Sequence, residues 1–206
     1  MFRGSIRVLP LLLVLICGFT FAPVAADANE PVPLPKIDFE ARANLLNEGT
    51  LFIRHSNGKM RIEMQLPQFK DPAVGFIDLN RKVMVLMLPI PGAQTTAMEV
   101  EFGDEATFGQ VLGKGKRAGE ATVAGERCFI WKVITDGDES RAAACLTPDN
   151  IALRTQVLIE GKTRTVFEVT ELKRQPQNAA ELEIPSGLNI IRLPKGMKGI
   201  PGFPRL

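Results

Sequence analysis

Asn57-Gly58 stands between two short runs in which apolar and polar residues alternate, and no other feature narrows the fold of this chain as much. A type I′ turn needs φ > 0 at both central positions; Gly takes that conformation freely and Asn readily. The dipeptide therefore predicts a tight β-hairpin between Gly49–Ser56 and Lys59–Gln65. With the turn fixed, Leu51 faces Met64, Ile53 faces Ile62 and His55 faces Met60. All three pairs lie on one side, which is apolar apart from His55. Arg54, Arg61, Glu63 and Gln65 point the other way, together with Phe52. One buried and one solvated face is the signature of an antiparallel sheet.

The same pattern recurs along the chain. Asp38–Leu46 reads as a first strand. Ala73–Leu79 and Lys82–Leu88 flank Asn80-Arg81, and the unbroken apolar run from Val83 to Leu88 predicts a strand covered on both sides, ended by Pro89 and Pro91. Gln94–Phe102 is the next strand. Asp104 can cap a short helix with Phe108, Val111 and Leu112 on its inner side and Gly113 or Gly115 as the stop. Gly113-Lys114-Gly115-Lys116 lacks the first Gly and the final Ser/Thr of a phosphate-binding P-loop and reads as loop. Glu126–Thr135 and Asp138–Thr147 flank Asp136-Gly137. Ile151–Ile159 and Thr163–Leu172 turn at Glu160-Gly161-Lys162, and a short helix is expected near Pro176–Glu181. The expected fold is mainly β: a strongly curved antiparallel sheet, or an incomplete barrel, with one or two short helices over its concave face.

The first residues read as a secretory leader. Arg3 and Arg7 precede an apolar run from Val8 to Phe21, and Ala22-Pro23-Val24-Ala25-Ala26 supplies small residues for cleavage after Ala26, with Ala28 as the alternative. The run is too short for a membrane span and contains Pro10. Ile16 before Cys17 does not suit lipidation, which needs a small residue there. The whole chain has 25 Lys+Arg against 23 Asp+Glu. Losing Arg3 and Arg7 leaves 25 − 2 = 23 cations and a formally neutral body, without the basic footprint of a nucleic-acid binder. Residues 27–36 form an extended lead-in, 37–192 a single domain, and 193–206 a basic tail rich in Pro and Gly. The expected location is the periplasm, with no transmembrane span in the mature form.

Cys128 and Cys145 remain after cleavage, and an even pair in an oxidising compartment predicts a disulfide. If Asp136 and Gly137 are the turn residues, the two cysteines face each other directly on a non-hydrogen-bonded pair, where the Cα separation suits a bridge. A redox role is disfavoured: there is no C-x-x-C and no nearby helix N-terminus.

The inventory for catalysis is thin. The chain has one His and no Tyr, and none of the common nucleophile, metalloprotease or phosphate-loop motifs. His55 reads as a packing residue at the end of an apolar strand face. No catalytic residue, metal site or cofactor is assigned, and the chain is read as a non-enzyme. Methionine is unusual in its clustering: Met60, Met64, Met84, Met87 and Met98 fall in one series of strands. Unbranched and polarisable, Met suits surfaces that adapt to varied apolar partners. Ordinary core filling, an apolar cavity for acyl chains, and a thioether copper site with Met60, Met64 and His55 are the alternatives.

Gly58-Lys59-Met60-Arg61-Ile62-Glu63, followed by Ile77-Asp78-Leu79 and Val83–Leu88, resembles the strand series of the periplasmic lipoprotein-carrier superfamily, LolA-like. Val123-Ala124-Gly125-Glu126-Arg127-Cys128, Cys145-Leu146-Thr147-Pro148-Asp149-Asn150-Ile151-Ala152-Leu153-Arg154 and Leu182-Glu183-Ile184-Pro185-Ser186-Gly187 resemble an uncharacterised branch of exported proteins with a domain of unknown function. The resemblance covers about Ile37 to Leu188. It implies a half-barrel with a helical lid and an apolar concavity. The expected function is a periplasmic, non-catalytic binding module for a lipid, acyl chain or lipoprotein segment, with Leu51, Ile53, Met60, Ile62, Met64, Met84, Leu86 and Met98 lining the cavity. The alternative is an envelope protein-interaction or sensing module; copper binding is a remote third.

Overall fold

The computed structural model describes residues 30–193, apart from 47–48, 94, 102–105, 108–109, 112 and 136–137. The leader, the Asp136-Gly137 turn and the tail beyond Leu193 lie outside the described residues. The strands in chain order are β1 (Glu30–Pro31), β2 (Phe39–Leu45), β3 (Thr50–Ser56), β4 (Lys59–Gln65), β5 (Ala73–Asp78), β6 (Val83–Met87), β7 (Thr96–Glu101), β8 (Ala106–Thr107), β9 (Gln110–Val111), β10 (Lys114–Val123), β11 (Glu126–Thr135), β12 (Asp138–Leu146), β13 (Ala152–Ile159), β14 (Lys162–Lys173) and β15 (Asn189–Arg192). All but β8 and β9 join one curved, open sheet in the order β1-β10-β11-β12-β13-β14-β2-β3-β4-β5-β6-β7-β15. Every pairing in it is antiparallel except β15 with β7.

The β3–β4 hairpin has the register expected from its turn: Leu51 faces Met64, Ile53 faces Ile62 and His55 faces Met60, with Asn57 at φ 48° and Gly58 at φ 76°. The alternation continues across the sheet. Phe39, His55, Met60, Ile77 and Met84 form one cross-strand row; Ala41, Ile53, Ile62, Gly75 and Leu86 form the next. These rows are the inner face, and they are buried. Gly75 is the close approach that makes the second row possible: a Cβ there would sit 2.8 Å from Ile62 Cγ1. Phe52, on the other side, lies between two guanidiniums, Arg42 at 4.8 Å and Arg54 at 4.9 Å, which accounts for an aromatic ring on a polar face.

Met84, Val85 and Leu86 are all buried, so β6 is covered on both faces as expected. The outer cover includes the C-terminal segment, which crosses the sheet as a strap. Gln177 N donates to Asp38 Oδ2 at 3.1 Å. A four-residue 3₁₀ helix, Ala179–Leu182, capped by Asn178, then lies against β3 and β4. Arg54 pairs with Glu181 at 2.9 Å and Lys59 with Glu183. Both cations point away from the inner face, which fixes the strap on the outside. Leu182 is buried beneath it, and β15 ends the crossing at the edge of β7.

Four expectations need correction. The short helix near Pro176–Glu181, expected over the concave face, lies on the outer face of β3 and β4, where Arg54 and Lys59 point. Lys114–Val123, read in part as loop, is a ten-residue strand; its alternation was hidden because most of its side chains are polar or absent and exposed. The helix expected after Asp104 is not formed where the segment is described: Ala106–Thr107 and Gln110–Val111 pair as a small hairpin, β8–β9. The β11–β12 register also differs. Thr135 faces Asp138 as the turn requires, but Val133 faces Ala142, so two extra residues of β12 are absorbed near the turn. Cys145 therefore faces Ile130, and Cys128 lies diagonal to it. A shift of two keeps side-chain parity, so the bridge still closes, with Cα atoms 5.3 Å apart.

Two apolar clusters result. The main one combines the inner rows of β2–β6 with Phe167 and Val169 of β14, Ile151, Leu153, Val123 and the disulfide. A smaller one, on the other face of β11 and β12, holds Trp131, Val133, Ala144 and Leu146 against Val32 of the lead-in. The lead-in is thus part of the domain. Asn150 Nδ2 donates to Leu34 O at 3.2 Å and Lys36 N to Asp149 O at 3.4 Å. Arg174 clamps the same corner, reaching Asp149 at 2.7 Å and Glu126 at 2.9 Å. Burial pushes the Asp149 carboxyl up, but hydrogen bonds from Arg174 and Thr147 outweigh it and hold it below the usual range.

Candidate functional site

The candidate cavity residues come together. Leu51, Ile53, Met60, Ile62, Met64, Met84 and Leu86 all belong to the main cluster, each at most 4% exposed. They pack against one another, so the curved sheet is filled by its own side chains. Met98 differs: it is half-buried, on β7, and packs against the cluster from the rim.

Register ties Met98 to the outside. Ile62, Gly75, Leu86, Met98 and Ile191 lie side by side on β4, β5, β6, β7 and β15. Exposure is 0% at Ile62 and Leu86 and 49% at Ile191. The row is a continuous apolar ramp from the centre of the core to β15, the last strand of the sheet among the described residues. Sequence reading placed Met98 in the site but missed Ile191, because a four-residue strand after Ser186-Gly187 carries too little periodicity to register.

His55 is fully buried and stacks on Phe39, with ring centroids 5.0 Å apart. Its Nδ1 lies 2.9 Å from Ile37 O, a pure acceptor, and Gly58 N donates to its Nε2 at 3.2 Å. The pair of contacts assigns the neutral tautomer with the proton on Nδ1. Burial pushes its pKa below the ordinary 6.5, against the Ile37 hydrogen bond and the nearby Asp38 charge. Both ring nitrogens are engaged, so a copper site with Met60 and Met64 would have to break the β3–β4 turn contact. Among the described residues, no group of three or more His, Cys, Asp and Glu side chains gathers as a metal site, and no helix is long and apolar enough to cross a membrane.

A second opening of the core lies on β10–β13. Ala121, Ile130, Ala143, Cys145, Arg154 and Gln156 line a dimple of about 20 Å³. Ala121 and Ile130 pack against the main cluster, and Cys145 belongs to it.

No family model and no curated protein matches the sequence. Among solved structures, an uncharacterized conserved protein from Thermus thermophilus is similar, with TM-score 0.51 and 18% identity over 76% of this chain and 91% of that one. A LolA superfamily protein from Nitrosomonas europaea matches with TM-score 0.37 and 7% identity, over 74% of this chain and 93% of that one. The first likeness is one of fold alone, and the second is too distant to carry an argument. The uncharacterised exported family suggested by the short motifs has no counterpart among these matches.

Proposed function

We propose that the mature chain is a non-catalytic binding module of the periplasm whose ligand is a lipid, an acyl chain or the acylated segment of a protein. The ramp from Leu86 through Met98 to Ile191 carries the reading. A closed apolar core has no need of a half-exposed methionine and an exposed isoleucine continuing one of its rows to the last described strand. The methionines of the inner face are the side chains best able to yield to an inserted chain. The leader-like N-terminus and the Cys128–Cys145 bridge support an oxidising, extracytoplasmic setting. Each methylene moved out of water contributes ~0.8 kcal/mol, so a chain of about twelve to sixteen carbons suffices for micromolar affinity after ordering costs.

The alternative, a protein-docking module, draws on β15, which has no neighbour beyond β7 among the described residues and exposes Ile190 and Ile191. An exposed apolar edge is a template for strand addition. A fluorescent fatty-acid probe titrated into the mature protein separates the two. Saturable binding that weakens at least tenfold in a folded Met98→Glu variant is the expected result. Absence of binding by the wild type, or equal binding by the variant, would move the assignment to protein docking.

A further inference from the structure

The ramp and the dimple are two of the places where, among the described residues, the main core meets the surface, and they differ in charge. On the ramp, the one cation of β15, Arg192, is paired with Glu99 at 2.9 Å. The dimple on β10–β13 is different. Lys116 and Lys132 face each other directly across β10 and β11, and the row continues through Ala143 on β12 and Gln156 on β13 to Thr165 on β14. The adjacent row runs Ile130, Cys145, Arg154, Glu168. Both lysines are exposed, and neither has an acidic partner among the described residues. Like charges directly opposite on neighbouring strands repel, yet no carboxylate among the described residues is placed to relieve this pair. Arg154 donates from Nε to Glu168, and its two terminal nitrogens have no partner among the described residues. Gln156 donates one amide hydrogen to Thr165 Oγ1 at 3.3 Å, which leaves its second hydrogen and the threonine hydroxyl proton available.

We propose that this face binds the anionic head group, carboxylate or phosphate, of the acyl ligand, with Lys116, Lys132 and Arg154 around the charge and the first methylenes on the Ile130–Ala143 floor. The inference rests on the acyl-binding reading and orients its ligand. Ala143, a small side chain, lines the dimple together with Arg154 and Gln156, and the register sets it between Lys132 on β11 and Gln156 on β13. Neighbouring strands are about 4.8 Å apart, so cations on β11 and β13 lie about two strand spacings apart across that floor and can converge on one group. The floor is rigid, because Cys145 is bonded to Cys128, and it is continuous with the methionine-rich core. Among the described residues, three cations stand against the single carboxylate of Glu168, an electropositive site in a chain whose mature body is neutral.

The test uses dodecyl phosphate, dodecanoate, dodecanol and inorganic phosphate on the mature protein, followed by calorimetry and by amide shifts at Lys116 and Lys132. The two anionic amphiphiles should bind at least tenfold tighter than dodecanol at low salt. Lys116→Gln/Lys132→Gln should abolish that preference and leave dodecanol affinity unchanged, whereas Lys70→Gln, a lysine in the loop between β4 and β5, should change neither. Equal affinity of wild type for charged and uncharged amphiphiles overturns the head-group site while the acyl-binding reading stands. Failure of every amphiphile overturns both. Inorganic phosphate binding as tightly as dodecyl phosphate overturns the coupling to a tail and marks a site for free anions.

Discussion

Removing the Cys128–Cys145 bridge tests how much the β11–β12 limb depends on it. The two cysteines are 17 residues apart in sequence. Closing a loop of that size in the unfolded chain removes entropy equivalent to about 3 kcal/mol at 25 °C. Both residues sit in the main cluster, Cys128 at 0% and Cys145 at 4% exposure, so a single substitution would also bury a lone thiol. The double variant Cys128→Ala/Cys145→Ala avoids that. It should lose about 3 kcal/mol, with a further fraction for the lost sulfur contacts, and melt roughly 6–12 °C lower, at ~2–4 °C per kcal/mol for a domain of this size. Equilibrium unfolding in urea gives the free energy, and the m-value should rise slightly, because an uncrosslinked unfolded chain exposes more surface. Wild type reduced with dithiothreitol should fall to within about 1 kcal/mol of the double variant. A loss below about 1 kcal/mol, or two free thiols in protein isolated without reductant, would refute the reasoning.

Acid should weaken the wild type through His55. Its folded pKa lies below the unfolded value of 6.5, so the unfolded chain binds the extra proton first; stability present above about pH 6.5 is lost as pH falls toward the folded pKa. Urea midpoints at pH 7.5 and 5.5 should show that loss in wild type and little of it in His55→Gln, and equal slopes would remove His55 as its source. On the strap, Leu182→Ala should cost about 2–3 kcal/mol, while Glu181→Gln and Glu183→Gln should each cost less than about 1 kcal/mol because their ion pairs are solvent-screened. The reverse ranking in thermal melts would show that charge, not burial, holds the strap.

The hairpins were legible wherever a turn dipeptide stood between alternating runs. Asn57-Gly58 gave both the turn and the register, because one buried face leaves no freedom to slip. Asp136-Gly137 shows the limit of that logic: the dipeptide set the nearest pair, but the strand beyond it absorbed two residues, an adjustment invisible locally because it preserves which side each residue faces. The bridge was foreseen and its geometry was not. Lys114–Val123 was illegible because pairing with β11 on one side and β1 on the other stabilises it, rather than any apolar pattern of its own. The strap was illegible for the opposite reason: its one buried residue, Leu182, carries no periodicity. In the candidate site, the methionine face could be read from the strands, whereas Lys116, Lys132 and Arg154 come together only through a register spanning four strands.

The order of the sheet has a consequence for how the chain folds. β2 to β7 and β10 to β14 are two meanders, each built by pairing neighbours in sequence. They are joined by a single seam, β14 against β2, where Phe167 meets Leu45. Hairpins close over short loops and form early, while the seam must bring together segments separated by most of the domain. Until it closes, each meander has an open edge and an unfinished core, and mutations at the seam, such as those at Ala43 or Val169, should slow folding more than equally buried mutations at the centre of either meander.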